Sequence, residues 1–497
     1  MLLKNSHSAT ALVVLSLSRC AFVTGAAVQA DTSLRQCLTD AVQGDNDKVQ
    51  FSEEEGFLLS DVRPYNLNLQ YSPFAITYPE SANEVAEIVA CAASKGRKVQ
   101  ARSGGRDFIN KCIGGQDGHV IVDLHMFSKV EVDSQTNVAS VGPGNLLGDM
   151  VRGLHKNSGR FIPHGSSRTV GVGGHFMVGG LGYTSRQHGL SIDTLQEVEV
   201  VLANGTIVSA TEDEHQDLFW AMRGAGASFG IATEFKVKTK AEPAEVVEFT
   251  YVWESDDPAV LGNALKAYYE MVQDQKLSLK LGGTLRLSKT SLVFSGGFFG
   301  SEAEFDQVGL GSRLPPASNT TIIPNHPWIT FMEDILASGG ATNNPAYFAI
   351  EDTVITRPLL PTNQTLDAFL DYIYTTFTDS AQWSFLFDIY GGAVSEVRPD
   401  ATAFPHRDAL VCVTAYVSTA DATDAQTEKV LEQAVLKLQG GDSDSFGSYA
   451  GVASLSLGEK AQVKYWGDNL GRLENIKAVY DPKDVFSTPQ GVKPARG

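Results

Sequence analysis

The stretch ARSGGRDF (Ala101–Phe108) places two adjacent glycines directly after a short apolar run. Glycine adopts positive φ and lets backbone amides approach an anion closely, so such a turn after a strand is typical of a phosphate-binding loop. A single loop of this kind is equally compatible with an ordinary tight turn. Two further glycine-rich stretches, at Gly165–Gly182 and Arg223–Phe235, favour a large phosphorylated cofactor.

The three loops match neither of the common nucleotide-binding fingerprints. None has Gly-x-Gly-x-x-Gly at a strand–helix junction, and none has the glycine-lysine pattern of a P-loop. A Rossmann or P-loop domain is therefore excluded, and the cofactor domain must be of another kind.

Helical and strand patterns alternate through the first half of the chain. Ser81–Lys95 has apolar residues at helical spacing behind a serine cap, and Gly96 ends it. Lys98–Ala101 is a short strand that leads into the Gly-Gly turn. Further strands are predicted at His119–Leu124, Val130–Val132, Ala139–Val141 and Glu197–Leu202, and further helices at Leu147–Lys156 and His215–Met222. This mixed order predicts an α+β fold with more than one sheet.

The composition changes at a polar stretch, Lys238–Glu242, just before Pro243. From there to about Gly451 the strand patterns are longer, with helices such as Pro258–Gln275 between them. The last part has a helical pattern at Asn469–Val479 and a tail rich in proline and glycine. We expect one domain over residues 31–243, a second over 244–451, and a C-terminal segment over 452–497.

Length and charge limit the classes of function. A chain of 497 residues exceeds one ordinary domain, and 43% hydrophobic with 20% charged residues is a normal globular composition. The formal net charge of −19 argues against nucleic acid or an anionic membrane as a partner, because both require a basic surface.

Residues 1–30 have the pattern of a secretory signal peptide. Lys4 supplies the positive start, Ala9–Ser18 an apolar run too short to span a bilayer, and Ala27–Ala30 a small-residue cleavage site. The Asn-x-Thr sequons, which fit passage through a glycosylating compartment, are at Asn204, Asn319 and Asn363. We therefore expect a secreted glycoprotein.

Five cysteines in a chain of this length are too few for a disulfide scaffold. Cys20 would leave with the signal peptide, so at most one or two bridges are expected. Cysteines and histidines are not clustered at the spacing of a structural metal site, and no metal is expected. Cys412, in an apolar strand pattern, is expected to be a buried thiol, and Cys112 a free, partly buried one.

Four ordered motifs carry a resemblance to a known family. PESANEVAEIVACAASKGRKVQARSGG (Pro79–Gly105), VGVGGH (Val170–His175) and RGAGASFGIATEF (Arg223–Phe235) resemble the FAD-binding domain of the berberine-bridge-enzyme-like oxidases, in the vanillyl-alcohol-oxidase superfamily. YWGDNLGRLENIKAVYDPKDVFSTPQ (Tyr465–Gln490) resembles the terminal segment of the same family. The resemblance implies a PCMH-type FAD-binding domain, a substrate domain on an antiparallel sheet with helices, and a C-terminal segment that returns to the FAD domain.

The resemblance also implies where FAD would bind. The pyrophosphate would lie on the amides of the first loop, the flavin and ribityl chain along the second, and the adenine side near Gly230 and Ile231. Asn469 would approach the isoalloxazine ring, and Cys37 would pair with Cys91. The cofactor-binding residues so predicted are Arg102, Ser103, Gly104, Gly105, Arg106, Asp107, Gly165, Ser166, Ser167, Val170, Gly174, His175, Gly180, Gly182, Gly230, Ile231 and Asn469.

The chain departs from its family at the positions that commonly attach FAD covalently. Relatives carry a histidine after the first Gly-Gly and many carry a cysteine in the second loop, where this chain has Arg106 and Ser167. A guanidinium stays protonated and a serine without a base is a poor nucleophile, so we expect non-covalent FAD. Arg106 would either place a cation near the cofactor or point to solvent. His175 occupies a different motif position, where packing or hydrogen bonding within the loop is expected.

A second departure concerns the base. Carbohydrate-oxidising relatives carry a Tyr-x-Asn-Tyr pattern before the C-terminal segment, and the second tyrosine of that pattern is replaced here by Val452. Valine cannot accept a proton, which argues against sugar oxidation. The remaining candidates for a base are Asp388, Tyr390 and Tyr449, although a structural role in a strand is the favoured interpretation for each.

Two classes of enzyme fit these residues. A secreted, non-catalytic binding protein is a third and weaker hypothesis. The first class is an FAD-dependent oxidoreductase that acts on a small specialised metabolite, with hydride transfer to flavin N5 and dioxygen as the reoxidant. The second is a redox-neutral isomerase or cyclase on the same fold. Oxygen consumption during turnover would separate the two classes.

Overall fold

The structure is a computed structural model that describes residues 25–338, 344–378 and 381–496. Most of the predicted signal peptide, residues 1–24, lies outside these ranges. Within them, no helix combines the length and the apolarity that are needed to cross a bilayer.

The first half of the chain forms short strands and amphipathic helices in alternation. Its strands are β1 (Val49–Phe51), β2 (Ala75–Thr77), β3 (Val99–Arg102), β4 (Val120–Asp123), β5 (Val130–Val132), β6 (Val138–Val141), β7 (Arg160–Phe161), β8 (Leu195–Val201), β9 (Ile207–Thr211), β10 (Ile231–Lys238) and β11 (Lys240–Ala241). Its helices are α1 (Gly25–Ala41), α2 (Ala82–Ser94), α3 (Leu147–Ser158), α4 (Val172–Val178), α5 (Ser185–His188) and α6 (Gln216–Ala225).

These strands form three sheets, which confirms the predicted α+β class. The order of the first is β1-β2-β4-β3, with β4 parallel to both β2 and β3. The second, of order β5-β6-β10-β8-β9, is antiparallel, and β11 pairs with β7. Helix α2 begins where the sequence predicts, because the Ser81 hydroxyl accepts a hydrogen bond from the Glu84 amide. One face of α2 is buried in the core with the first sheet.

The second half is built on one large antiparallel sheet. Its strands are β12 (Val247–Glu254), β13 (Leu281–Leu287), β14 (Ser291–Phe298), β15 (Asn319–Ile323), β16 (Tyr347–Thr356), β17 (Gln382–Ile389) and β18 (Ala409–Thr419), in the order β15-β12-β14-β13-β17-β18-β16. Its helices are α7 (Pro258–Val272), α8 (Glu302–Val308), α9 (Leu310–Arg313), α10 (Trp328–Ser338), α11 (Asn363–Thr376), α12 (Ala393–Glu396) and α13 (Ala425–Leu438). Apolar residues of α7, α11 and α13 form a separate core with one face of this sheet.

The C-terminal segment returns to the first half, as the sequence predicts. It contains α14 (Ala461–Trp466) and α15 (Leu470–Tyr480). The Val99 amide donates to the Val485 carbonyl at 2.9 Å, which extends β3 onto this segment. The buried Lys477 ammonium donates to the Ser228 carbonyl at 2.6 Å and pairs with Asp481 at 2.6 Å. The exact boundaries at residues 243 and 451 stay predictions.

A disulfide joins Cys37 in α1 to Cys91 in α2, which confirms the predicted pairing. Of the other cysteines in the described ranges, Cys412 is buried and Cys112 is partly buried, and both are free thiols.

Removing this disulfide should lower the stability of the whole protein. The bridge closes a loop with a sequence separation of 54 residues. In the chain-entropy model the double change Cys37→Ser and Cys91→Ser is expected to cost roughly 4 kcal/mol of unfolding free energy. Denaturant unfolding followed by circular dichroism measures the loss, with Cys412→Ser as a control for the removal of a thiol. An unchanged midpoint in the double variant would contradict the expectation.

Candidate cofactor and substrate cavity

The three glycine-rich loops, which are far apart in the sequence, meet around one cavity of about 310 Å³. The loop after β3 contributes Ser103–Asp107, and the loop into α4 contributes residues from Ser167 onwards. Residues 224–232, before and at the start of β10, form a third side. The C-terminal segment closes the cavity with Tyr465, Trp466 and residues 486–491.

The first two loops pack backbone against backbone. A Cβ atom on Gly104 would lie 2.5 Å from the Gly171 amide nitrogen, and one on Gly171 would lie 2.1 Å from the Gly104 nitrogen. The Ser103 hydroxyl borders the same contact, because a Cβ on Gly171 would lie 2.1 Å from it, and it donates to the Pro143 carbonyl at 2.5 Å. Any residue larger than glycine is therefore excluded at both positions. The lack of a side chain lets the main chain of both loops reach the cavity surface.

The structure brings most of the predicted cofactor residues to this wall. Those that line the cavity are Ser103, Gly104, Gly105, Arg106, Asp107, Ser167, Val170, Gly174, His175, Gly230 and Ile231, together with the candidate base Tyr449. Those that do not are Arg102, Gly165, Ser166, Gly180, Gly182 and Asn469, together with the candidate bases Asp388 and Tyr390.

Two of the predicted cofactor residues have structural contacts instead. Arg102 is buried, its Nε donates to Asp123 at 2.6 Å, and its Nη1 donates to the carbonyls of Asp61 and Val62. The Asn469 side-chain amide donates to backbone carbonyls, including that of Pro399 at 2.8 Å. These hydrogen bonds let Arg102 hold the Gly-Gly turn in place, and they let Asn469 hold the C-terminal segment in place.

Four residues of the second loop also lie away from the cavity. Gly165 and Ser166 line a separate small recess beside α10. Gly180 and Gly182 are in the tight return of the loop, where a Cβ on Gly182 would lie 1.5 Å from the His164 carbonyl oxygen. These glycines shape the loop rather than the cavity wall.

Asp388 and Tyr390 lie in the large sheet and the core, not at the cavity. Asp388 pairs across β17 and β13 with Thr284, whose hydroxyl donates to it at 2.5 Å. Burial raises the pKa of Asp388 to about 6. Tyr390 is only 1% exposed, and burial raises the pKa of its phenol well above its usual range. These positions do not support a role as a base at the cavity.

Tyr449 does reach the cavity and is held at both ends. Its phenol oxygen accepts a hydrogen bond from the Gly180 amide at 3.1 Å, and its own amide donates to the Asp352 carboxyl at 2.6 Å. Burial raises the pKa of the Tyr449 phenol well above its usual range. The phenol therefore keeps its proton near neutral pH and can donate it to a ligand as a hydrogen bond.

Asp352, behind Tyr449, is a buried carboxyl that also bonds the Ser448 hydroxyl. Burial raises its pKa from 3.8 to about 8. Because the folded-state pKa exceeds the unfolded one, this group contributes stability that is fully present below about pH 4 and is lost as the pH rises towards 8.

Asp352→Asn is expected to remove this pH dependence. An asparagine amide mimics the protonated carboxyl, with its oxygen towards the Tyr449 amide and its NH₂ group towards Ser448. The variant should match the wild type near pH 4 and gain relative stability progressively up to pH 8. Chemical unfolding at several pH values measures the difference, and a constant offset across that range would contradict it.

His175 has the role that its loop position predicts. Its Nε2 accepts a hydrogen bond from the Gly165 amide at 2.9 Å, which ties the start of the second loop to helix α4. Burial, with a smaller effect of His164, lowers the pKa of His175 to about 3. The ring is therefore neutral, and its Nε2 lone pair is engaged.

Arg106 lies on the cavity wall and is partly buried, so the expectation that it points to solvent is wrong. Its guanidinium stacks 3.8 Å above the Tyr65 ring, and its Nη2 donates to the Tyr65 phenol at 3.0 Å. Burial lowers its pKa, while the phenols of Tyr65 and Tyr416 act in the opposite direction. The cavity therefore has a fixed cation beside an aromatic surface.

Several wall residues were not predicted from the sequence. They are Tyr65, Gln100, Phe108, Lys111, Cys112, Met177, Tyr465 and Gln490, among others. Gln100 could have been predicted from its position in β3, a few residues before the Gly-Gly turn. Tyr65 comes from a distant segment that nothing in the sequence relates to the glycine loops. Tyr465 and Gln490 lie at the two ends of the C-terminal motif that the resemblance brings to the FAD domain.

Comparison with known proteins identifies the family of this chain. The family model described as "FAD binding domain" matches residues 73–211, and that described as "Berberine and berberine like" matches residues 448–493. The FAD-linked oxidoreductase sorD of Penicillium rubens is 34% identical over 94% of this chain and 100% of its own length. The chain belongs to the berberine-bridge-like FAD-linked oxidoreductases. It is thus an FAD-dependent oxidoreductase, as the resemblance implies.

Solved structures of this family share the whole fold. Xylooligosaccharide oxidase from Myceliophthora thermophila, in complex with xylobiose, superimposes with a TM-score of 0.86 at 29% identity, over 94% of this chain and all of that chain. Glucooligosaccharide oxidase from Acremonium strictum, described with a 6-S-cysteinyl, 8α-N1-histidyl FAD, gives 0.84 at 29% identity over 94% of this chain and all of that chain.

The wall of the cavity fits FAD by its own chemistry. The Gln100 side-chain nitrogen is buried at the wall and has no hydrogen-bond partner within the described part of the chain, so it is available to a ligand acceptor or an ordered water. Gly174 faces open space, with no atom within 4 Å of a Cβ placed there. The Gly104–Gly171 contact presents main-chain amides, the usual donors for a pyrophosphate.

Proposed function

We propose that this oxidoreductase holds FAD without a covalent bond, oxidises a small and fairly apolar metabolite, and uses dioxygen as the final electron acceptor. The observation that carries the first part is the pair Arg106 and Ser167 on the cavity wall. Neither side chain is a competent nucleophile at neutral pH without a base.

The other nucleophiles on the wall do not replace that pair. Burial raises the pKa of the Cys112 thiol to about 12, so almost no thiolate exists at neutral pH. The His175 Nε2 is engaged with the Gly165 amide. Among the described wall residues these are the remaining thiol and imidazole, which supports a cofactor held by contacts alone.

The substrate class is inferred from one end of the cavity. Tyr65 and Phe108 line it and pack with Phe348, at ring-centroid distances of 5.2 to 6.0 Å. Val452, at the position of the sugar oxidases' second tyrosine, packs against the same aromatic cluster. A wall of this composition favours an apolar or aromatic substrate over a polyhydroxylated sugar.

FAD, when bound, supplies the hydride acceptor for the reaction. The residues of this chain would hold and orient the substrate. Tyr449, which keeps its proton, would donate a hydrogen bond to a substrate oxygen, and Arg106 would favour negative charge that develops nearby. Removal of the Tyr449 hydroxyl would also leave the Gly180 amide without its acceptor.

The experiment that tests this proposal follows the flavin and oxygen together. Purified protein should bleach anaerobically with substrate and recover its colour when air is admitted, with one oxygen consumed per substrate. Turnover without oxygen consumption, which persists with a redox-inactive flavin analogue, would instead assign the redox-neutral isomerase or cyclase reaction.

We also infer a secretory route with N-glycosylation. The three sequon asparagines are all exposed, Asn204 in a turn, Asn319 in the edge strand β15 and Asn363 at the start of α11. A mass shift on treatment of the yeast-expressed protein with an N-glycosidase tests this inference.

A further inference from the structure

A histidine and two carboxylates converge at one edge of the large sheet, far from the cavity loops in sequence. Glu248 lies on β12, His326 in the turn between β15 and α10, and Asp334 on α10. One ligand atom from each residue lies within 4.8 Å of the others.

His326 is the central residue of this cluster and is mostly buried. Its side chain is only 10% exposed, its Nδ1 lies 3.3 Å from the Glu248 Oε2 atom, and its Nε2 lies 3.5 Å from the Asp334 Oδ2 atom. Neither contact has hydrogen-bond geometry, so both ring nitrogens and the Glu248 oxygen lack hydrogen-bond partners in the described part of the chain. Buried polar atoms in this state normally have a ligand or an ordered water.

The backbone around His326 holds the ring in this place. The turn carries Pro324 and Pro327 on either side, and Asn325 adopts a φ of 53°. The His326 amide donates to the Val246 carbonyl at 2.9 Å, and its ring packs edge-on to Phe331 at 6.4 Å. The imidazole is thus fixed before any ligand binds, which lowers the entropic cost of binding.

The geometry of the His326–Glu248 pair matches two ligands of one ion. Zinc–nitrogen and zinc–oxygen bonds of about 2.0–2.2 Å at a tetrahedral angle separate the ligand atoms by roughly 3.3–3.5 Å. The observed separation is 3.3 Å. Asp334 contacts the other ring nitrogen, Nε2, and is 56% exposed, so its carboxylate would have to rotate towards Nδ1 to complete the set from the solvent side.

The donor set and its charge select the class of metal. An imidazole nitrogen with two carboxylates suits zinc and related transition-metal ions, whereas calcium and magnesium prefer oxygen ligands alone. A divalent cation would neutralise the two carboxylates.

We propose that Glu248, His326 and Asp334 form a binding site for a divalent transition-metal ion, with zinc as the fitting example, which fastens α10 to β12. Helix α10 forms one wall of the recess beside Gly165 and Ser166, so the ion would stabilise the support of the second glycine loop. The site is independent of FAD binding and of the redox reaction.

The test uses tag-free, FAD-containing protein that has been stripped with a chelator. Titration with zinc sulfate, followed by desalting and elemental analysis, should give one zinc per chain. His326→Gln and Glu248→Gln should each lower zinc affinity at least tenfold, and Asp334→Asn should do so to a smaller extent. Cobalt in place of zinc should give visible absorption bands at wavelengths above those of the flavin, and these bands should vanish in His326→Gln.

A matched control is available in the same chain. His155 contacts a carboxylate at 2.9 Å, but only that of Glu242, so His155→Gln should bind zinc like the wild type. Circular dichroism shows whether each variant is folded, and the exposed Asp334→Asn keeps the test valid if a buried change unfolds the chain. Equal zinc stoichiometry and affinity in the wild type, His326→Gln and Asp334→Asn would overturn the proposal, as would a wild type that binds no zinc.

Discussion

The double variant Arg106→His with Ser167→Cys is expected to keep its flavin on the protein after acid precipitation, whereas the wild type releases it. Both side chains line the same cavity. The change replaces a permanently protonated guanidinium and a weakly nucleophilic hydroxyl with an imidazole and a thiol, which are competent nucleophiles. The flavin should pass from almost entirely soluble to largely retained, seen as fluorescence of the protein band in a denaturing gel.

The loss of folding stability in the double variant should be small compared with the effect on flavin retention. Loss of the Arg106 stack on Tyr65 is expected to remove about 1 kcal/mol. The matched control is Ser166→Cys, since Ser166 neighbours Ser167 but lines the separate recess beside α10. Retention of flavin by that control, or its complete release by the double variant, would mean that Arg106 and Ser167 do not face the ring system.

Gly104→Ala should abolish flavin binding because it disrupts the fold of the loops. Gly174→Ala should weaken flavin binding and leave the fold intact. A Cβ on Gly104 would lie 2.5 Å from the Gly171 nitrogen and 2.7 Å from the Thr169 oxygen, and these are main-chain atoms that can yield only if the loops separate. A Cβ on Gly174 meets nothing within 4 Å, although the residue lines the cavity. A methyl group there would occupy space that the cofactor needs.

The two variants are distinguished by measuring stability and flavin content together. Alanine in place of helical glycine stabilises by up to about 1 kcal/mol, so the Gly174→Ala apoprotein should melt no lower than the wild-type apoprotein, while flavin affinity falls at least tenfold. Gly471→Ala is the control, because it also meets nothing within 4 Å and lies in α15 away from the cavity. Full flavin content in Gly174→Ala would contradict the placement of FAD.

The secondary structure was predictable where one face of an element is buried. Helix α2 and strand β4 differ from their predicted ranges by a residue or two at each end, because apolar periodicity and the Ser81 cap determine them. The meeting of the three glycine loops was also predicted, since glycines that pack backbone on backbone leave a strong sequence signal.

The side chains of the wall were predicted less well, for a physical reason. Arg102 and Asn469 stand next to cavity residues in sequence, but buried polar groups nearby engage both side chains. Conversely, Tyr65 reaches the wall only because α+β packing brings its segment there. A buried side chain is placed by its partners, and partners far away in sequence cannot be identified from periodicity.

The absorbance spectrum of the purified protein before and after acid precipitation tests whether FAD is bound without a covalent bond. The native protein should show a flavin spectrum at one FAD per chain, and essentially all of that flavin should be in the supernatant after precipitation. A yellow pellet would contradict non-covalent binding, and a folded protein that carries no flavin and takes none up would contradict the assignment of the cavity.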